Sequence, residues 1–196
     1  MKYVLFLLLC LPTLLPAQTA QSAKKYEATW EQTRYWDQIN NADGRFQLLS
    51  PQEFEHQVDS LETELGQQAF HTYFFKTPDP RKAENVIYVL SYVDYPAGSL
   101  HHDSTELVQE FLTTTEEEAI RSVGGTLVYA SEKTISNYPG RQWRIDYNND
   151  GATARTLAVV AGNRYYELKV FSLKSSGPNK AANKFFDSFR LFDPPE

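Results

Sequence analysis

The sequence predicts one mainly antiparallel α/β domain of the α+β type, with about six strands in a sheet and amphipathic helices packed on it. Three observations predict it. Two stretches, one from Ser104 and one after Pro178, carry apolar residues at helical spacing. The run Val86-Ile87-Tyr88-Val89-Leu90-Ser91-Tyr92-Val93 is apolar on both faces, as in a central strand covered on each side. From Thr126 to Leu173, runs rich in β-branched and aromatic residues are separated by regular turn signals. With 12 Tyr, 12 Phe and 3 Trp, the composition suits a pleated, half-buried surface.

At the start of the chain, Met1-Lys2 precedes an apolar run from Tyr3 to Leu15, then Pro16-Ala17-Gln18-Thr19-Ala20. One positive charge, a short apolar core and small residues beyond it are the layout of a secretory signal peptide. The run is shorter than the ~20 residues of a membrane-spanning helix. Residues 1–20 therefore read as a signal peptide, with cleavage after Ala17 or Ala20. Cys10 lacks the small residues before it that a lipoprotein acceptor requires. Residues 21–34 read as a linker or N-terminal arm and residues 35–193 as a single domain.

Within that domain, Asn40-Asn41-Ala42-Asp43-Gly44 reads as a hairpin turn between Trp36-Ile39 and Arg45-Leu49. Phe54 to Phe75 is open to two readings: strands parted by Gly66, or a helix through Val58, Leu61 and Leu65. Thr77 to Asn85 is a loop. In the first helix Leu107, Phe111, Thr115, Ala119 and Val123 form one stripe, and Glu117 and Arg121 pair on the other side. Ser104 is placed to cap it, and Gly124-Gly125 ends it. A four-strand meander follows. Its turns fall at Tyr138-Pro139-Gly140, read as type II, at Asn148-Asn149-Asp150-Gly151, and at Gly162-Asn163. The second helix buries Ala181, Ala182, Phe185, Phe186 and Phe189.

The order Gly44-Arg45-Phe46 … Ser50-Pro51, Val89 … Tyr92-Val93-Asp94-Tyr95-Pro96, Tyr138-Pro139-Gly140-Arg141, Arg164-Tyr165-Tyr166-Glu167-Leu168 and Phe185-Phe186-Asp187-Ser188-Phe189 resembles exported bacterial proteins of the PsbP-like α/β/α-sandwich type. That superfamily is named for an extrinsic protein of photosystem II and also holds a nuclear-import factor that binds the GTPase Ran. The resemblance runs from about Arg45 to Phe192. It implies a fold and an exported protein, and it carries no photosystem-docking or Ran-binding residue onto this chain, since none matches. Function does not follow from such a fold.

Charge and chemistry narrow the partners. Without Lys2 the chain has 18 basic against 25 acidic residues and no basic cluster, which argues against nucleic acid or an anionic membrane surface. Cys10 is the single cysteine, so the domain contains no disulfide. Asp146-Tyr147-Asn148-Asn149-Asp150-Gly151 opens like a calcium loop, with donors Asp146, Asn148 and Asp150. The bidentate Glu that such a loop needs at position twelve is Leu157, so a polar hairpin turn is the better account. His101-His102-Asp103 is the one histidine pair adjacent in sequence and reads as a solvated loop or a metal-binding pair, while His56 and His71 stand apart. Glu116-Glu117-Glu118 reads as the solvent side of the first helix. Trp30 and Trp36 are candidate ligand platforms or core staples, and Trp143 belongs to the core. These readings predict a non-catalytic accessory or binding module of the cell envelope, periplasmic or extracellular, requiring no cofactor and meeting an unidentified protein or small ligand. The alternatives are a hydrolase-like enzyme in which His101 or His102 meets an acid in a deep pocket, and a weak calcium-binding protein.

Overall fold

A computed structural model describes residues 35–149 and 151–192. In chain order the elements are strands β1 (Asp37–Asn41), β2 (Phe46–Ser50), β3 (Glu55–Thr63), β4 (Gly66–Lys76) and β5 (Ile87–Asp94), then helix α1 (Thr105–Val123). Strands β6 (Thr126–Ile135), β7 (Tyr138–Tyr147), β8 (Ala152–Ala161) and β9 (Arg164–Leu173), helix α2 (Lys180–Ser188) and strand β10 (Arg190–Leu191) complete them. A seven-stranded antiparallel sheet has the order β3-β4-β5-β9-β8-β7-β6, and a three-stranded sheet the order β1-β2-β10. The domain is thus richer in strands than the sequence suggested. The difference lies partly in Phe54 to Phe75, where both halves are strand. Gly66, at φ 92°, opens β4, and the Thr63 hydroxyl accepts from Leu65 N and donates to the Gly66 carbonyl, closing a tight hairpin. Val58 and Leu65, which suggested a helical stripe, face solvent.

Layering follows from one crossover. α1 joins β5 to β6, which lie four positions apart in the sheet. Four strand spacings are about 19 Å, and 19 helical residues reach about 28 Å, so the helix crosses β9, β8 and β7 in one pass. Val108, Leu112 and Ala119 pack there on Trp143, Ile145, Ala158 and Val160. The opposite sheet face is covered by α2 and the small sheet, whose Phe46, Leu48, Phe185 and Phe189 meet Tyr88, Leu90, Tyr166 and Leu168. β5, β8 and β9 are therefore buried on both faces, as the apolar run at Val86–Val93 required. Among the described residues, neither helix nor the small sheet covers β3.

Local details depart from expectation at four places. The β6–β7 turn is made by Ser136 and Asn137, with φ 49° and 71°, and not by Pro139-Gly140. Two left-handed residues match the twist of a two-residue hairpin better than a type II turn does. Gly140 lies within β7 instead, where an added Cβ would stand 2.5 Å from the Ala158 carbonyl oxygen. Ser104 occupies the N-cap of α1 but makes no side-chain cap bond. Gly124 does end that helix, at φ 57°. Arg121 pairs with Glu118 at 2.6 Å, not with Glu117. Glu116 faces inward, buried, and bonds Arg141 of β7. The helix sits flat enough on the sheet that one of its three consecutive glutamates must point down.

α2 is anchored by its cap. Asn179 Oδ1 accepts from Ala182 N at 2.8 Å, and the Asn179 amide exchanges hydrogen bonds with Asn85. Asn85 in turn bonds Tyr88 Oη and Ser172 Oγ, so the helix start, β5 and β9 share one buried network.

Candidate functional site

The β3–β4 hairpin brings together two histidines that are distant in sequence. His56 pairs with Tyr73 and Val58 with His71, which makes His56 and His71 diagonal neighbours on one face. His56 Nε2 lies 3.3 Å from His71 Nδ1. Each imidazole stacks on a tyrosine: His56 on Tyr73 at 4.1 Å and His71 on Tyr92 of β5 at 4.4 Å, nearly parallel in both cases. Arg164 lies 4.4 Å over Tyr92 and is fixed by a bidentate ion pair with Asp94, with bonds of 2.6 and 2.7 Å. Asn41 Nδ2 donates to Tyr73 Oη, so the β1–β2 hairpin borders the stack. The result is a layered set of rings, rigid at the Tyr92 end and open to water at His56.

Burial, followed by the neighbouring His56 and Arg164, lowers the His71 pKa below the ordinary histidine value, against the opposite pull of Asp94 and Asp43. His71 is thus held neutral at neutral pH. Burial and the Tyr73 phenol raise the Tyr92 pKa, so that phenol stays protonated. The one cue to this cluster in the sequence is hairpin register. Once Thr63 pairs with Gly66, His56 and His71 fall beside each other.

His101, His102 and Asp103 also converge, with ligand atoms of all three within 4.8 Å of one another. His102 is occupied, however. Its backbone N–H donates to the Gly162 carbonyl at 3.0 Å, and its Nδ1 accepts from Gly162 N at 3.1 Å. An Nδ1 that accepts places the proton on Nε2, which faces Asp103 Oδ1 at 3.2 Å. The lone pair is therefore engaged with the β8–β9 turn, while the ring edge meets Tyr138 at 4.9 Å. Asp103 is largely exposed, so this histidine–acid pair lies on a surface loop and not in a deep pocket.

The remaining candidates are placed as follows. Trp36 is buried, packs edge-on against Tyr88 at 5.9 Å and lies under Lys184 at 4.7 Å; it belongs to the core and not to an exposed platform. Trp143 is fully buried. Asp146 points onto the sheet face, where Arg144 Nε at 3.0 Å and Lys174 Nζ at 3.1 Å engage its carboxylate. Burial raises its pKa, but the bonds from Lys174 and Arg144 outweigh that and hold it below the usual carboxylate range. Asn148, at φ 54°, and Asn149, at φ 49°, form the turn itself. Asp146 is thus engaged by two cations on the sheet face, while Asn148 and Asn149 make the hairpin turn. Trp30, Asp150 and the signal-peptide segment lie outside the described residues. No helix among the described residues is long and apolar enough to cross a membrane.

No protein-family model and no curated protein matches the chain. Its backbone, in contrast, superimposes on the solution structure of cyanobacterial PsbP (CyanoP) from Synechocystis sp. PCC 6803 with a TM-score of 0.50, at 8% identity, over 88% of this chain and 98% of that one. The fold is PsbP-like. A crystal structure of a protein of unknown function from Pseudomonas aeruginosa, a putative regulator, aligns with a TM-score of 0.40 at 10% identity over 83% of this chain. At such identities the PsbP-like likeness concerns backbone architecture alone. The stacked histidines and tyrosines belong to this chain's own sequence and are argued from its own geometry.

Proposed function

We propose that the chain is an exported, non-catalytic binding module of the cell envelope, and that its contact surface is the uncovered β3–β4 end of the large sheet. The observation that carries this reading is the ring stack of His56, Tyr73, His71 and Tyr92. Tyr73 and Tyr92 are buried and form a rigid base. The surface left to a partner is exposed His56, half-exposed His71 and exposed Val58, a flat patch that suits a protein or a ring-bearing ligand. Elsewhere, the ionisable groups that caught attention in the sequence hold the fold. Glu116 and Arg141 tie α1 to β7, Asp146 joins β7 to the segment after β9, and His102 ties its loop to the β8–β9 turn. A hydrolase-like role for His102 would require a lone pair that Gly162 already engages.

Two measurements test the reading separately. Amino-terminal sequencing of protein recovered from the periplasm or medium should begin at Gln18 or Gln21; an intact Met1 on all recovered protein contradicts export. Partner capture from envelope extract should be lost in Val58→Arg, which places a cation beside His71, and kept in Glu110→Arg on α1. Capture unchanged by Val58→Arg removes the β3–β4 end as the contact surface.

A further inference from the structure

We propose that His56 Nε2 and His71 Nδ1 together form a zinc-binding clamp across the β3–β4 hairpin, completed by water or by a donor from the bound partner. Zinc holds imidazole nitrogens at about 2.0–2.1 Å in tetrahedral geometry, which sets two such nitrogens about 3.3–3.4 Å apart. The pair stands at 3.3 Å, so the ion enters without moving either strand. Square-planar coordination, preferred by copper(II), would bring neighbouring nitrogens to about 2.9 Å and would require the rings to shift.

Proton bookkeeping also favours this pair. Of the two facing nitrogens, one carries the proton of the present hydrogen bond. That proton can move to the remote nitrogen of the same ring, because neither His56 Nδ1 nor His71 Nε2 has another hydrogen-bond partner among the described residues. Both facing lone pairs then point at one ion. The His101-His102-Asp103 loop fails the same test, since a metal on His102 Nε2 would force a proton onto Nδ1, against the Gly162 N–H. Stacking on Tyr73 and Tyr92 fixes both ring planes, the role that outer-shell groups play around metal-bound histidines. Arg164 is the nearby cation that opposes the ion, and its bidentate pairing with Asp94 offsets that charge. Two protein ligands leave two coordination positions open to solvent.

This inference rests on the β3–β4 contact surface for its biological meaning, but its chemistry is measured without any partner. Purified protein, stripped with chelator, is titrated with zinc chloride by calorimetry at pH 7.5 and at pH 5. One ion per chain is expected at pH 7.5, with affinity reduced at least tenfold at pH 5, where protons compete for the imidazoles. His56→Gln and His71→Gln are each expected to weaken binding at least tenfold, and His102→Gln to leave it unchanged. His56 is exposed, so His56→Gln keeps the fold, and a thermal melt of each variant checks this. No binding at pH 7.5, or binding lost in His102→Gln but kept in His56→Gln, overturns the clamp. Zinc bound by the pair together with capture unchanged by Val58→Arg supports the clamp and overturns only the contact-surface reading.

Discussion

The interior of the seven-stranded sheet and its β3 edge obey different rules. Around β7, β8 and β9 the sheet is covered on both faces, Trp143, Val159 and Tyr166 are fully buried, and charged side chains are matched with partners. At β3 almost every residue is exposed or half-exposed, and its imidazole meets water. A buried charge without a partner costs several kcal/mol, so the covered end tolerates ionisable groups only in pairs. The open end has no such constraint and can keep two histidines adjacent. Cover determines which side chains remain available, and on the histidine face that cover comes from the small sheet and α2.

If this contrast holds, equal chemical changes have unequal effects in the two regions. Trp143→Ala, under α1, should cost about 3–5 kcal/mol, whereas Val58→Ala on β3 should stay within about 0.5 kcal/mol; urea midpoints measure both. Similar losses at the two positions would mean that β3 is buried in solution, by a partner or a second copy. Asn179→Ala should cost about 2–3 kcal/mol, because it removes the α2 cap and two buried hydrogen bonds between the Asn179 and Asn85 amides. A loss under 0.5 kcal/mol would show that the network does not anchor α2. Glu116→Ala should cost about 2 kcal/mol, less than a fully buried pair, because the Arg141 side chain keeps 23% of its exposure and with it some hydration. A neutral result would place Glu116 in solvent, as the sequence alone suggested.

The same contrast explains what the sequence made legible. Periodicity and turn residues disclose cover well. The apolar run at Val86–Val93 gave the central strand, the stripe from Leu107 to Val123 gave α1, and Phe185 and Phe186 gave the buried face of α2. Pairing is another matter. Which of three consecutive glutamates points inward depends on how α1 sits on β7, and that geometry has no local signature. Pro139-Gly140 reads as a turn on chemistry alone, yet Gly140 is there because the Ala158 carbonyl crowds it across the sheet. His56 and His71 are fifteen residues apart and become neighbours only through register, which shifts with a single misplaced turn. The candidate site was thus the least legible part of the chain, while the fold that builds it was largely readable.

The smallest effect concerns acid. Asp146 is the buried carboxylate of the covered end whose folded pKa is lowered, with Lys174 and Arg144 prevailing over burial. A carboxyl with a lowered folded pKa binds fewer protons in the folded than in the unfolded chain near pH 4. Its contribution is therefore complete above the ordinary carboxylate range and is lost as pH falls through the folded value. Asp146→Asn should cost about 1 kcal/mol at pH 7, where Arg144 retains Thr153 Oγ1 as an acceptor. The deficit should be smaller at pH 2.5, below the ordinary carboxylate range, where the unfolded chain already holds the proton. Urea midpoints of wild type and variant at the two pH values supply the comparison. A deficit of the same size at both would mean that Asp146 acts through shape and hydrogen bonding, and that its charge is already screened by the solvent reaching Lys174.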